Sequence, residues 1–399
     1  ETPVSAPSRF KPKTEQARAL VEKVLASGRV SLNEIEASKF ISYYGIPSAP
    51  HARASSSAQA SRLAAEIGFP VALKVLSPDI PYKLDVGGVQ LHVNSQRGAA
   101  EAYRQIMASV AERAPEARID GVLVEKMIPE RYELVLGSKR DDLFGPVIRF
   151  GMGGVAVDIY QDLNVGLPPL NMALAKRLME GTRIHKLLSG YRGLNAVDIK
   201  ALQVLLYRFS YLVMDFPEIK EIEINPLAID ESGCLALDAK VTLDDQVKPR
   251  KSNPYAHLII SPYPKKWEKR ISSKLGKSVL LRPIRPEDEP MEAAMFKAMS
   301  EETQRFRFFA PIKNITHEML ARYTQIDYDR EIAVIAEIND KGKKMAGVAR
   351  IIADAYNHSA EFAVVVADPW QGHGLGVALT DHALQLARQR KLGLIYAHF

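Results

Sequence analysis

The chain has 399 residues, of which 47% are hydrophobic and 25% are charged, as in an ordinary globular protein. This length is enough for two or three domains. No apolar run is long enough to span a membrane, and the Lys and Arg residues behind the net charge of +6 are scattered among acidic residues. These features argue against a membrane protein and against nucleic-acid binding, whereas a mildly basic chain is compatible with small anionic ligands.

The single cysteine, Cys234, excludes an intrachain disulfide. This favours a cytoplasmic location, although a cysteine-poor exported protein would look the same. The sequence starts at Glu1 without an initiator Met and without the charged-then-apolar pattern of a signal peptide. We therefore expect a fragment of a longer protein.

The N-terminal part predicts helices followed by short strands. In the helical pattern over 31–45, Ser31 and Glu34 have the spacing of a capping box, and Gly45 is expected to end the helix. A linker and a first helix are predicted for 1–30. The elements predicted after them are β-rich runs at 69–76 and 88–93, strands at 119–127, 132–138 and 146–150, helical structure at 171–216 and a β-hairpin at 219–243.

A stretch rich in proline and charge, without sustained periodicity, predicts a linker at 247–278. It separates a first domain over 31–246 from a second α/β domain over 279–399. The elements predicted in the second domain are helices at 287–299, 316–325 and 374–390 and strands at 331–338, 345–353, 359–367 and 392–399.

The hairpin predicted at 219–243 gathers polar side chains on one face. Antiparallel pairing about its Gly-containing turn places Asn225 opposite Asp238 and Glu223 opposite Lys240. Carboxylate and amide oxygens converging in this way are what Mg²⁺ prefers, with water and phosphate completing its shell. The alternative from the residues alone is a solvated face with a cross-strand Glu–Lys pair.

A lysine inside an apolar strand is the second signal. Lys74 lies within "FPVALKVL", and a buried lysine needs an anionic partner. The loop that follows ends in Gly87 and Gly88, which allow backbone N–H groups to approach phosphate oxygens closely. An edge-strand lysine that reaches water is the alternative explanation for Lys74.

Together these motifs resemble the ATP-grasp fold of ADP-forming acyl-CoA synthetases, relatives of the succinyl-CoA synthetase β chain. The resemblance covers 31–246 and rests on the ordered motifs "EASKFISYYGIP", "GFPVALKVLSPDIPYKLDVGGV", "LVEKM", "YELVLGSKRDDLFGPVIRFGMGG", "LPPLN", "EIEINPLAI" and "LALDAKV". It implies ATP and Mg²⁺ as ligands.

The resemblance also implies three groups of site residues. The nucleotide-binding residues are Lys74, Gly87, Gly88, Glu125, Met127 and Glu133, with the two glycines in a lid over the phosphates and Glu125 and Met127 beside adenine and ribose. The loop at the phosphoryl-transfer site contains Gly151, Gly153 and Gly154. The Mg²⁺ ligands are Asn225 and Asp238, with Glu223 beside them.

Two departures from the family pattern stand in these motifs. The family usually has His-Lys-Ser-Asp where this chain has Tyr82-Lys83-Leu84-Asp85, and Asp158 stands where a Glu is common. Neither change alters a predicted metal ligand, but both are expected to weaken turnover.

The second domain contains a glycine-rich loop between a predicted strand and a predicted helix. Glycines at a helix N-terminus present free N–H groups to an anion such as a pyrophosphate, although a simple Gly-rich turn would have the same pattern. The loop residues concerned are Gln371, Gly372, Gly374 and Gly376.

This loop resembles the coenzyme A-binding signature of GNAT acetyltransferases. "LLRPIRPEDEP", "RFRFFAPI", "TQIDYDRE" and "AEFAVVV" further resemble bacterial protein-lysine acetyltransferases of the Pat type. That resemblance implies acetyl-CoA as a ligand and Glu361 as the base, since a lysine amine with a pKa near 10.4 must lose a proton before attack. The alternative for Glu361 is an exposed acid at a strand end.

The fold expected is therefore α/β (α+β), an ATP-grasp domain followed by a GNAT domain that is incomplete at Phe399. The resemblance implies a bifunctional ADP-forming acyl-CoA ligase, for which acetate is the expected acid, and N-acetyltransferase. Its CoA-binding and phosphohistidine domains would precede residue 1. One alternative is a protein lysine acetyltransferase regulated by a ligand-sensing ATP-grasp module, and another is a scaffold with silent sites. The oligomeric state is left open.

Overall fold

The computed structural model describes residues 10–80, 82–128, 132–154, 161–248, 254–274, 276–309, 314–354, 356 and 358–397. The chain forms two compact units, which divide between Ile259 and Ile260, within the stretch predicted as a linker. Within the described residues, no helix is both long and apolar enough to cross a membrane.

The smaller sheet of the first unit is antiparallel and has the strand order β1-β4-β2-β3. Its strands are β1 (His51–Ala54), β2 (Val71–Leu76), β3 (Val89–Val93) and β4 (Gly121–Lys126). Helices α3 (Ser57–Ile67) and α4 (Gln96–Arg113) pack on one face. Because side chains alternate along a strand, Leu73 and Val75 enter the core beneath these helices, whereas Lys74 points to the other face.

The larger sheet of the first unit has the order β10-β8-β5-β6-β7, with β9 also paired to β8. Its strands are β5 (Tyr132–Asp141), β6 (Gly145–Met152), β7 (Leu163–Gly166), β8 (Ile219–Asp230), β9 (Gly233–Ala236) and β10 (Ala239–Leu243). The helices of this part are α1 (Thr14–Ala26), α2 (Glu34–Ser42), α5 (Met172–Glu180), α6 (His185–Leu188) and α7 (Ile199–Asp215). Phe40, Phe150 and Phe209 join them in one buried core.

The predicted hairpin is present with the predicted register. Asn225 donates its backbone N–H to the carbonyl of Asp238 (3.2 Å), and Glu223 lies opposite Lys240. Ile224 on the alternate face is fully buried in the core. A slip of one residue would turn Ile224 toward the polar face, so the burial of this side chain determines the register.

The start of α2 differs from the prediction. Asn33, not Ser31, caps the helix: its Oδ1 accepts the Glu36 N–H (2.9 Å), and the Glu36 carboxylate accepts the Asn33 N–H (3.0 Å). Ser31 instead forms an isolated bridge with β10. The capping box predicted at Ser31 and Glu34 is therefore wrong, and the Glu34 side chain is not used to cap the helix.

The second unit is a six-stranded sheet with the order β11-β12-β13-β14-β15-β16, in which only the last pair is parallel. Its strands are β11 (Lys269–Ser272), β12 (Ser278–Pro283), β13 (Glu331–Asn339), β14 (Lys343–Ala353), β15 (Ser359–Val366) and β16 (Leu394–Tyr396). Its helices are α8 (Glu289–Lys297), α9 (Glu301–Phe308), α10 (His317–Thr324) and α11 (Leu375–Gln389). β11 lies within the stretch predicted as a linker.

Both faces of this sheet are covered. Val334 and Ala336 of β13 pack in the cluster that contains α11, while Ile335, on the opposite face, packs in the cluster that contains α8 and α10. Strand β13 is therefore apolar on both faces, as a central strand between two helix layers must be.

Two arginines are buried in the second unit and are neutralised there. Arg282 makes a bidentate contact with Asp288 (2.7 Å to each oxygen) and a third hydrogen bond to Glu337 (2.8 Å). Arg350 pairs with Glu292 (2.8 Å). Burial raises the pKa of Glu292 to about 7, and the charge of Arg350 only partly offsets this.

Candidate functional site

A small cleft lies between the two sheets of the first unit. The small sheet contributes His51, Lys74 and Glu125, and the segment joining β9 to β10 contributes Asp238. The enclosed part of the cleft has a volume of about 40 Å³, and the cleft opens to solvent. The other lining residues are Glu34, Ser38, Ile41, Ser48, Lys83, Leu123, Ala236, Leu237 and Ala239.

The Lys74 ammonium contacts the Glu125 carboxylate at 2.5 Å. Strand β2 lies between β4 and β3, so the alternative of an edge-strand lysine is excluded. Glu125 is only 7% exposed, and an ion pair at this depth requires both partners. The anionic partner that a lysine in this apolar strand requires is thus Glu125, which the resemblance implies only as a nucleotide-binding residue.

A second ion pair in the cleft was not predicted. Lys83, in the loop between β2 and β3, contacts the Glu34 carboxylate at the first turn of α2. Its neighbours Tyr82 and Leu84, where the chain departs from the family pattern, are 73% and 75% exposed. The departures therefore point to solvent, while the retained lysine lines the cleft; no local sequence pattern indicated this. Asp158, the other departure, lies outside the described residues.

Gly87 and Gly88 close the loop after Lys83. Gly87 donates its N–H to Leu84 (3.0 Å) and Gly88 donates to Lys83 (2.7 Å), so both amides are engaged within the loop. A Cβ on Gly88 would lie 2.5 Å from the Val75 side chain. A close approach to β2 thus explains Gly88, and the role of both glycines as a lid over phosphates stays a prediction.

Met127 follows directly after β4. Its backbone N–H donates to Pro70 (3.1 Å), and its sulfur accepts the N–H of His92 (3.1 Å). Glu125 and Met127 thus lie on and just beyond the same strand, as expected for residues beside one ligand, and their contact with adenine and ribose stays a prediction.

The three glycines of the predicted phosphoryl-transfer loop all make close backbone approaches. A Cβ on Gly151 would lie 1.8 Å from the carbonyl oxygen of Asp162, and one on Gly153 would overlap the backbone of β5. Gly154 has a φ of +67°, and its Cα packs against the Glu133 carboxylate. These contacts bring Glu133 next to the loop and exclude larger residues at its glycine positions.

The predicted metal ligands Asn225 and Asp238 lie directly opposite each other. The Asn225 Oδ1 accepts the Gly154 N–H (2.9 Å), so the amide also ties the glycine loop to β8. Asp238 lines the cleft. Their hard oxygen atoms fit Mg²⁺, which takes few protein ligands and completes its shell with water and phosphate.

Glu223 lies in a different environment from Asn225 and Asp238. It contacts Arg149 of β6, which also lies 3.4 Å from Glu221. This arginine, rather than Lys240, is the counter-ion of Glu223. No group of three or more His, Cys, Asp or Glu side chains that could hold a metal occurs within the described ranges. A role of Glu223 as a metal ligand therefore stays a prediction.

In the second unit, the glycine-rich loop leads into α11. Gly372 and Gly374 have φ angles of +76° and +80°, a conformation that favours glycine, and no side chain caps the helix. The first amides of α11 thus have no acceptor within the helix. Gln371 donates to the carbonyl of Val366 (3.0 Å), and Gly376 packs near the Val366 side chain, so the loop is held on β15.

Glu361 is exposed on β15, where it lies opposite Ile352 and Tyr396. Its charge raises the pKa of Arg307, although the dominant effect on that guanidinium is burial, which lowers the pKa. Glu361 is thus accessible to an acceptor and has a cation in its surroundings. Its role as a base stays a prediction.

The fold agrees with comparisons to known protein families. Residues 23–243 match the family described as ATP-grasp domain, and residues 296–399 match the Acetyltransferase (GNAT) family. The first match spans more than half of the chain. The protein therefore belongs to the ATP-grasp family and contains a GNAT domain after it.

Individual relatives show which proteins of the ATP-grasp family the first unit is similar to. The chain is 36% identical to the acetate–CoA ligase [ADP-forming] I subunit beta of Pyrococcus furiosus, covering 57% of this chain and 98% of that subunit. It is 40% identical to the acetate–CoA ligase [ADP-forming] I of Archaeoglobus fulgidus, covering 58% of this chain and 34% of that protein. The chain thus spans about a third of the longer relative.

A solved structure of similar sequence has the same fold as the first unit. The dinucleotide-forming acetyl-coenzyme A synthetase 1 of Ca. Korarchaeum cryptofilum, in complex with coenzyme A, Ca-AMPCP and HgCl⁺, matches with a TM-score of 0.55 and 39% identity, covering 57% of this chain and 99% of that chain. The first unit thus belongs with the β subunits of ADP-forming acetate–CoA ligases, as the sequence motifs predicted.

Proposed function

We propose that the first unit binds Mg-ATP as the nucleotide-binding part of an ADP-forming acyl-CoA ligase, with acetate as its acid. One observation carries this proposal. Lys74, Glu125 and Asp238, which come from three separate sequence motifs, line one cleft between the two sheets. A surface of solvated charges would not require that convergence.

The chain's own residues have distinct parts in this proposal. Lys74, now held by Glu125, supplies a positive charge for phosphate oxygens. Asn225 and Asp238 would hold Mg²⁺, which neutralises phosphate charge when bound. The Asn225 amide also holds the glycine loop through the Gly154 N–H. The loop glycines permit the backbone approach that positions this N–H.

The remaining parts of such a ligase lie outside this chain in the proposal. The longer Archaeoglobus relative contains about twice as much additional sequence as the matched region. We infer that a CoA-binding domain and a domain with a phosphorylated histidine act with this unit. The phosphoryl group would pass from ATP to that histidine, leaving ADP, and then to the carboxylic acid, from which CoA displaces phosphate.

Calorimetric titration of ATP with and without Mg²⁺ tests the nucleotide site. We expect metal-dependent binding that Asp238→Ala weakens about 100-fold, or about 2.7 kcal/mol. Asp142→Ala is a suitable control, because Asp142 is exposed in the turn after β5, away from the cleft. A folded chain that binds no ATP, or an Asp238→Ala variant that binds it as tightly as the control, contradicts the proposal.

For the second unit we propose acetyl-CoA binding at the loop 371–376 and transfer to a lysine amine. The uncapped amides of α11 can receive the pyrophosphate, and Glu361 would accept the proton of the attacking amine. Glu361→Gln is expected to reduce acetyl transfer to a lysine-containing acceptor about 100-fold without weakening acetyl-CoA binding. Glu318→Gln, on the exposed side of α10, serves as the control.

Equal transfer rates of the two variants would remove Glu361 from this role. The sequence alternative, in which the ATP-grasp module only senses a ligand, is not favoured, since the first unit matches ligase subunits over nearly their whole length.

A further inference from the structure

The unexpected ion pair of the cleft joins two different parts of the first unit. Glu34 begins α2, which packs against β10 of the larger sheet. Lys83 belongs to the loop between β2 and β3 of the smaller sheet. Their contact therefore closes one side of the cleft, because it joins a helix packed on the larger sheet to a loop of the smaller sheet.

Neither the Glu34 nor the Lys83 side chain stabilises the local structure of its own segment. The N-terminus of α2 is capped by Asn33 and Glu36, which leaves the Glu34 carboxylate without a capping role. The backbone of Lys83 is held by the Gly88 N–H (2.7 Å), and the carbonyl of Gly88 accepts the Val75 N–H (2.7 Å). The loop thus presents Lys83 to the cleft from a fixed backbone.

The charges of the cleft form ion pairs in which a bound phosphate could replace a carboxylate as the partner of a lysine. It contains two lysines, Lys74 and Lys83, and three carboxylates. Each lysine is paired with a carboxylate of the protein itself. The Lys83 and Glu34 side chains remain 20% and 23% exposed, so an anion from solvent can reach the lysine. A polyphosphate needs such cations and competes with the resident carboxylates.

We propose that Lys83 is a second phosphate-binding lysine of the nucleotide cleft and that Glu34 holds it until nucleotide binds. The phosphate displaces the Glu34 carboxylate, which turns to solvent, and no covalent bond changes. This inference rests on the proposed nucleotide site. It adds a cost to binding, since part of the affinity of Lys83 for phosphate is used to release Glu34.

The two partners are therefore expected to act in opposite directions. In titrations of Mg-ATP into the complete chain, Lys83→Met should weaken binding about tenfold or more, because a charge-assisted contact is lost. Glu34→Gln should tighten binding about three- to tenfold, because the competing carboxylate is gone. Lys83→Arg should retain most of the affinity. The double variant should bind like Lys83→Met alone.

Matched controls come from the exposed pair Arg97 and Glu101 on α4, outside the cleft. Arg97→Met and Glu101→Gln should leave the dissociation constant unchanged. Adenosine, which has no phosphate, should bind equally to all of these variants, and circular dichroism checks that each is folded.

Several results would overturn the inference. If Glu34→Gln weakens Mg-ATP binding as Lys83→Met does, the pair only maintains the shape of the cleft. If Lys83→Met binds like the wild type while Asp238→Ala does not bind, the nucleotide site stands and Lys83 is not part of it. If the wild type binds no Mg-ATP, the proposed function and this inference both fail.

Discussion

The two units use the same chemistry, a cation paired with a carboxylate, in opposite surroundings. In the cleft between the two sheets of the first unit, Lys74 and Lys83 keep 27% and 20% of their side chains exposed. In the second unit, Arg282 is 3% exposed and is surrounded by two carboxylates. The Lys83–Glu34 pair, in which both side chains are partly exposed, can exchange its carboxylate for a ligand, whereas a buried pair that loses a partner leaves an uncompensated charge. Burial thus separates ion pairs available for binding from ion pairs that maintain the fold.

The largest effect is expected for Arg282. Arg282→Met should destabilise the second unit by about 3–5 kcal/mol, because Asp288 and Glu337 then lose their shared counter-ion. Both tryptophans of the chain, Trp267 and Trp370, lie in this unit, so tryptophan fluorescence during urea unfolding reports on it alone.

Arg305→Ala is the matched control, because its contact with Glu301 is mostly exposed and should be worth less than about 0.5 kcal/mol. Equal effects of the two variants would show that burial does not distinguish these pairs.

An intermediate effect is expected for Glu292, and it depends on pH. Burial and the nearby carboxylates of Asp288 and Glu289 raise its pKa to about 7, against the lowering effect of Arg350. An acid whose pKa is raised on folding stabilises the fold below its unfolded pKa of about 4.5, and this stabilisation is lost as the pH rises through 7. Between pH 5 and 8 the wild type should lose about 2–3 kcal/mol that Glu292→Gln does not lose.

The measurement is urea unfolding, followed by tryptophan fluorescence, at pH 5 and at pH 8. Parallel pH profiles of the wild type and Glu292→Gln would mean that Arg350 keeps Glu292 ionised throughout.

The smallest effect on stability is expected in the cleft. Glu34→Gln should change the stability of the first unit by less than about 1 kcal/mol, because the partly exposed Lys83 can be hydrated instead. Amide hydrogen exchange of peptides from α2 and β10 measures this change, with Glu101→Gln for comparison. A loss of several kcal/mol would place the pair with the structural pairs of the second unit.

Much of the candidate site was predictable because it depends on local periodicity. The alternation of polar and apolar residues in β8 determines which face Asn225 occupies, and the spacing around the turn then places Asp238 opposite it. Lys74 was predictable in the same way, as a polar residue in an otherwise apolar strand. The motifs also separate the ATP-grasp region from the GNAT region without any knowledge of the fold.

Local sequence patterns were sufficient to predict the hairpin register and the polar face of the cleft, since each follows from contacts between neighbours or across one turn, whereas strands such as β11, within the predicted linker, were missed. Which charges meet depends on tertiary packing. It paired Lys83 with Glu34 and Glu223 with Arg149, and it moved the helix cap from Ser31 to Asn33. Ion pairs between distant segments depend on how elements pack, and a lone lysine or glutamate carries no local pattern that names its partner.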